Sequence, residues 1–140
     1  MKIRKATMKD VPALLKIIEK EKAIENYPGE YDEKAVRKLL KEKESITLVA
    51  ETDGKVAGFC KISTEKDDFS LDIIGVAQEF RGRGIGRILF EEMEKYAFKN
   101  KIKRIFILVK DWNVAMNKMT ESKGYTLTDK LYLWKKEIRK

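Results

Sequence analysis

Residues 81–87 read Arg-Gly-Arg-Gly-Ile-Gly-Arg, between an apolar run and an amphipathic one. Three glycines at alternate positions leave the backbone bare where a strand hands over to a helix. Such a turn can aim several N–H groups at one point, and a helix N-terminus adds positive potential there. Arg81, Arg83 and Arg87 interleave whole charges with the glycines. The chemistry this combination suits is the holding of a diphosphate.

Two familiar phosphate loops are excluded. A Walker loop closes on Gly-Lys-Ser/Thr, whereas Gly86 is followed by Arg87 and Ile88. A dinucleotide fingerprint needs a third glycine, and Leu89 stands in its place. The turn does fit the Arg/Gln-x-x-Gly-x-Gly/Ala pattern of the GNAT superfamily of N-acetyltransferases, at Arg81, Gly84 and Gly86. Its lead-in, Ile74-Gly75-Val76-Ala77-Gln78-Glu79-Phe80, resembles the strand that this family places before the turn. Ile3-Arg4-Lys5-Ala6-Thr7 to Asp10 is similar to the family's opening strand and helix. Asn113 to Gly124-Tyr125 is similar to its second half, a helix followed by Gly and an aromatic.

The resemblance implies acetyl-coenzyme A as donor, a primary amine on a small molecule or peptide as acceptor, and no metal. It implies direct attack in a ternary complex, which suits a chain without His. In family terms the N–H groups of Arg83, Gly84, Ile85, Gly86 and Arg87 receive the pyrophosphate, with Arg81 and Gly82 completing the turn. The bare Gly82, Gly84 and Gly86 let the backbone approach the oxygens. The pantetheine arm lies along Ile74, Gly75 and Val76 and pairs with the backbone of Ile74 and Val76, as an added strand would. The N–H of Val76 then polarises the thioester carbonyl. Asn113 holds the far side of the arm and Met116 lines the slot.

The family pattern breaks at Thr120, where many members carry a Tyr as general acid. A Thr hydroxyl is shorter and far less acidic. Tyr125 and Tyr132 are alternative donors, as is water. Asp72 interrupts an apolar run and is a candidate base; Asp111 is a second, and a surface role is the alternative for both. Acceptor recognition falls to the regions holding Tyr27, Glu30, Tyr31, Tyr132 and Trp134. Thr120 also leaves open a non-catalytic coenzyme-A-binding or regulatory domain.

Composition narrows the classes further. The chain has 140 residues, 43% of them apolar, which suits one domain, residues 1–140, with a real core. Charged residues reach 39%, well above the usual quarter, in a pattern similar to heat-adapted proteins. The formal net charge of +8 favours an anionic ligand. Lys and Glu alternate, so a nucleic-acid-binding module is the weaker alternative. The absence of His removes His-based triads and His metal sites. Cys60 has no partner for an internal disulfide and is expected in the core. No apolar run approaches the ~20 residues that span a bilayer, and Met1 to Lys5 does not resemble a signal peptide. A cytoplasmic protein, monomer or homodimer, is the expectation.

The elements that must position these residues follow from periodicity. Residues 2–7 read as a strand, then a helix begins near a Thr7/Asp10 capping box and fades near Ile24. Tyr27-Pro28-Gly29 marks a loop. Asp32 caps a second helix with Val36, Leu39 and Leu40 inward. Strands at 46–50 and 56–62 flank the hairpin signal Asp53-Gly54. A third strand covers 71–76. Ile85, Leu89, Met93 and Ala97 predict a helix of about fourteen residues. Residues 105–109 are apolar on both faces, as in a central buried strand. Asn113 caps a last helix, ended by Gly124, and strands at 125–127 and 131–138 close the chain. The predicted class is α/β (α+β), a mixed, mostly antiparallel sheet in the order β-α-α-β-β-β-α-β-α-β-β. Helices cover both faces, and the family's sheet splays beside the third strand of the middle run.

Overall fold

Four apolar alternations become an antiparallel meander, and a fifth strand joins it in parallel. The computed structural model describes residues 1–21, 31–132 and 134–139. Its described residues form two compact units, Met1–Lys110 and Asp111–Lys140. In the first, β1 (Lys2–Lys5), β2 (Ser45–Thr52), β3 (Lys55–Glu65), β4 (Asp68–Val76) and β5 (Arg104–Ile107) lie side by side in that order. Pairing is antiparallel from β1 to β4 and parallel between β4 and β5. The Asp53-Gly54 turn has φ of 52° and 73° at its two residues, the mirror-image turn whose twist matches a hairpin.

Three helices complete this unit: α1 (Val11–Lys20), α2 (Glu33–Lys41) and α3 (Ile85–Lys99). Side chains along β3 alternate between faces. Gly58 meets Ile85 and Leu89 of α3. Lys61, of opposite parity, meets Glu42 at the end of α2. Helices therefore cover both faces of the sheet. Leu14, Val36, Val49, Phe59, Phe69, Leu89, Phe90 and Met93 are fully buried between these layers, with Cys60. Fully burying each large apolar side chain contributes roughly 1.5–3 kcal/mol.

Helix starts follow the capping chemistry. The Thr7 N–H donates to Asp10 Oδ2 at 2.7 Å, and the Ala35 N–H to Asp32 Oδ1 at 2.8 Å. Pro12 sits in the first turn of α1, where a missing N–H does no harm. The second unit holds α4 (Val114–Ser122). Asn113 Oδ1 accepts from the Met116 N–H there, and Gly124 leaves the helix at φ 90°.

Three expectations need correction. Residues 105–109 are not a central buried strand: β5 ends at Ile107, and Phe106 is 51% and Leu108 76% exposed. Apolar character on both faces reads as burial only when neighbours cover both faces. The closing strands at 125–127 and 131–138 are absent among the described residues, and Trp134 is 88% exposed. Alternation supplies a face, but a strand also needs a partner's hydrogen-bond ladder. The first helix stops at Lys20, while Ile24 and the Tyr27-Pro28-Gly29 loop lie outside the described residues. Among the described residues, no helix is long and apolar enough to cross a membrane.

Candidate functional site

The glycine turn begins where β4 ends. After Val76 the chain makes a single 3-10 turn, Gln78–Phe80, then crosses Gly82 and Gly84 at φ 79° and 77°. Only glycine adopts this left-handed conformation at little cost, and two such steps bring the chain onto the first turn of α3. Gly84 is the N-cap, and being glycine it offers no capping oxygen. The first helical bond runs from the Ile88 N–H to the Gly84 carbonyl at 3.1 Å. Arg81 donates its N–H to Gln78. Among the described residues, the N–H groups of 82–87 find no acceptor within the protein. An α-helix leaves its first N–H groups without intrahelical partners, and here no side chain takes them up.

A Cβ on Gly82 or Gly84 would meet nothing within 4 Å. Packing therefore does not require glycine at either position; backbone conformation does. Gly86 differs. Its hypothetical Cβ would lie 3.7 Å from Val76 Cγ2, an ordinary contact, which puts the helix start directly beside the end of β4.

The arginines divide their labour. The Arg81 guanidinium turns back: Nε donates to the Val76 carbonyl at 3.3 Å, and Nη2 lies 3.4 Å from the Lys20 carbonyl and Glu21 Oε2. It straps the end of β4 to the end of α1. Arg83 lies over the Phe80 ring, 5.2 Å from its centre, a cation–π contact. Arg87 is exposed on the first turn of α3, with its full charge beside the open N–H groups. Sequence reasoning gave Arg81 to the ligand; the strap shows it also holding the frame.

Beside the turn, β4 outruns its neighbour. The β4–β5 ladder covers only Asp68 to Leu71 against Arg104 to Ile107. Beyond Leu71 the β5 side of β4 has no strand partner among the described residues. The Ala77 N–H donates to Ala57 at 2.7 Å on the β3 side. Backbone groups alternate along a strand, so the N–H groups of Ile74 and Val76 point to the open side, and Gly75 faces β3. The bare edge and the bare helix start are thus continuous. This is the splay that the family resemblance anticipated.

Asp72 sits where the β3–β4 register slips, between the pairs Lys61↔Ile73 and Ile62↔Leu71. An extra residue at such a bulge re-aims its side chain. Asp72 Oδ2 accepts from Lys61 Nζ at 3.1 Å and from the Ser63 hydroxyl. Lys61 Nζ also meets Glu42 Oε2 at 2.5 Å. Burial opposes the Lys61 charge, but its hydrogen bonds to Glu42 and Asp72 more than offset that, and its pKa is raised. Lys61 is thus a buried permanent cation, whereas the sequence pairs it with Phe59 only as a hint of a nucleic-acid-binding face. The signal was a lone Lys inside the otherwise apolar run 56–62.

A second ion pair secures the opposite edge. Arg4 grips Asp10 through both guanidinium nitrogens, at 2.8 and 2.9 Å. The hydrogen bond from Arg4, above all, holds the buried Asp10 carboxyl below the ordinary carboxylate value; the same pairing raises Arg4. Cys60 is enclosed in the core, and burial pushes its thiol up to about 12. A residue that sequence reasoning overlooked is Gly58, whose Cβ would lie 2.9 Å from the Gly75 carbonyl and 3.2 Å from Ile85 and Leu89.

In the second unit, Asn113 spends its side-chain oxygen on capping α4. The Thr120 hydroxyl donates to the Met116 carbonyl at 2.7 Å. Met116 is half-buried and Asp111 exposed. Of the residues expected to read the acceptor, Tyr27 and Glu30 lie outside the described residues, Tyr31 is half-buried, and Tyr132 and Trp134 are exposed. Among the described residues no cluster of acids and Cys could hold a metal ion.

Residues 12–125 match the model of the acetyltransferase (GNAT) family, and the chain belongs to that family. An acetyltransferase of Pectobacterium atrosepticum is 29% identical over 111 residues, 79% of each chain. The crystal structure of a ribosomal-protein-alanine N-acetyltransferase from Brucella melitensis superposes with a TM-score of 0.77 at 30% identity, covering 89% of this chain and 83% of that one. The PaiA N-acetyltransferase of Thermoplasma acidophilum, solved with coenzyme A, shares the fold at TM-score 0.73 and 21% identity, over 92% and 91% of the chains.

Proposed function

We propose that this protein is an amine N-acetyltransferase using acetyl-coenzyme A, with a protein or peptide α-amine as the favoured acceptor. One observation carries the reading: the acceptor-free N–H groups of residues 82–87 adjoin the unpaired edge of Ile74 and Val76. A diphosphate suits the first feature, and the amides of a pantetheine arm suit the second. The acceptor class is supported by the ribosomal-protein-alanine enzyme at 30% identity. The two units are read as one domain because the family match runs across both. A buried, unpaired Cys60 suits a reducing cytoplasm.

When bound, acetyl-coenzyme A supplies an activated acyl group: a C–N bond forms to the amine as the C–S bond breaks, the amine loses a proton and the thiolate gains one. Gly82 to Arg87 anchor the pyrophosphate, with Arg87 adding charge. Ile74 and Val76 align the arm, and the Val76 N–H aims a donor at the carbonyl oxygen. Asp72 is the base. Its carboxylate has about four acceptor positions, and Lys61 and Ser63 occupy only part of them. The Thr120 proton is committed to Met116, so the thiolate takes its proton from water.

The test pairs binding with turnover. Coenzyme A at one hundred times its Kd should stabilise the fold by about 2.7 kcal/mol. Thiol release should follow with a peptide bearing a free N-terminus, and Asp72→Asn should lower kcat while leaving the melting shift. No melting shift at millimolar coenzyme A defeats the reading. A shift without thiol release across peptides, polyamines, amino acids and aminoglycosides supports a second one, a non-catalytic coenzyme-A-binding domain, which the commitment of Thr120 favours.

A further inference from the structure

A groove of about 520 Å³ lies on the α1 face of the first unit, apart from the open helix start. One wall is α1 and the turn before it. The other is the β2–β3 turn with residues 77–79. Along α1, Ala13, Lys16 and Lys20 fall on one stripe, and Lys9 continues it from the preceding turn; such spacing repeats on one helix face. Lys55 faces them from the β2–β3 turn. The floor between is apolar and buried at Ile17 and Ala77.

Charge in the groove is unbalanced. Three carboxylates line it, Asp10, Glu51 and Glu79. Arg4 lies against the first two, at 2.8 Å from Asp10 and 3.5 Å from Glu51, and its single charge balances one of them. Among the described residues Lys9, Lys16, Lys20 and Lys55 make no ion pair. Among the described lining residues, four lysines therefore face two uncompensated carboxylate charges, and the groove is net cationic. Their spread also matters: Lys9 to Lys20 spans about 16 Å at the helical rise, the length of about five extended residues. A compact anion reaches only part of that row.

We propose that this groove binds an extended acidic peptide segment of a partner protein, with small apolar side chains on the floor. Acidic residues at alternate positions of an extended chain lie roughly 6.6 Å apart on one side, close to the roughly 6 Å separating Lys16 from Lys20 along the helix. Single-stranded nucleic acid is the poorer fit, because such binders stack bases on aromatic side chains and no aromatic residue among the described residues lines this groove. This inference does not depend on acetyl transfer.

Fluorescence anisotropy of a labelled Glu-Ala-Glu-Ala-Glu-Ala peptide tests it on the full chain. Wild type should bind saturably, more tightly at low salt. Lys16→Glu combined with Lys55→Glu, one change on each wall, should weaken binding at least tenfold. Lys95→Glu with Lys99→Glu, the same charge change on α3, should weaken it by less than threefold. Both variants alter exposed side chains, and unchanged melting temperatures verify their folds. Equal weakening by the two variants, no saturable binding by wild type, or tighter groove-dependent binding of an oligothymidylate of equal charge overturns the proposal.

Discussion

The starts of α2 and α3 are built from opposite materials. At α2, Asp32 Oδ1 accepts from the Ala35 N–H, and the terminus is closed. At α3, Gly84 offers no oxygen, and residues 82–87 keep their N–H groups. The same helix physics makes a closed joint in one place and leaves a row of open donors in the other. The Thr7–Asp10 start, locked by Arg4, is the most tightly closed of the described starts. Closed starts should therefore govern stability, and the open one should govern affinity.

The sharpest attempt to break that contrast is Asp10→Ala, which among the described residues leaves Arg4 only the longer carboxylate contact, to Glu51 at 3.5 Å. Removing one member of a buried ion pair costs about 3–5 kcal/mol; with Arg4 25% exposed, the lower end applies. Denaturant melts should register this loss, while coenzyme A affinity of the folded fraction stays unchanged. Next is Gly84→Asp. Two charges 4 Å apart near a surface interact by about 4 kcal/mol, and half of that raises Kd about thirtyfold. Calorimetry should find that loss, beside a stability cost of about 1–2 kcal/mol for a side chain in the left-handed conformation at 84. Normal affinity in this variant would dissolve the contrast.

Smaller effects sharpen it. Asp32→Ala removes an exposed cap and should cost about 1 kcal/mol, again without touching affinity. Asp10 also carries a pH signature. Its folded pKa is lowered, chiefly by the Arg4 hydrogen bond. Its stabilisation is therefore complete above the unfolded value of about 3.9 and disappears as pH falls through the folded value. Asp10→Asn should flatten that acid limb in urea titrations. Smallest of all, Cys60, held near 12 by burial, should give no signal with a thiol reagent in native protein and one equivalent in denaturant. A native signal would mean that the core opens.

What the sequence revealed was whatever depends on local chemistry. Alternating glycines announced the open start, Asp32 and Asn113 announced caps, and Asp53-Gly54 announced a hairpin. What it concealed depends on neighbours. The run 105–109 has the same composition whether covered or not. Residues 125–138 alternate correctly yet find no ladder among the described residues. Asp72 reads as a lone acid until the register slip sets it against Lys61 and Ser63. The Arg81 strap joins residues sixty apart in sequence, which no local pattern encodes.

Because Gly58 carries no side chain, α3 rests its first turn directly on the bare ribbon of β3. Even one methyl group there would act as a shim, lifting the helix start and widening the mouth between it and Val76. On the proposed function, the grip on an incoming phosphate would thereby be calibrated by a residue far upstream that never touches it. Alanine at 58 offers a way to loosen cofactor hold while leaving every cofactor-contacting residue in its natural form.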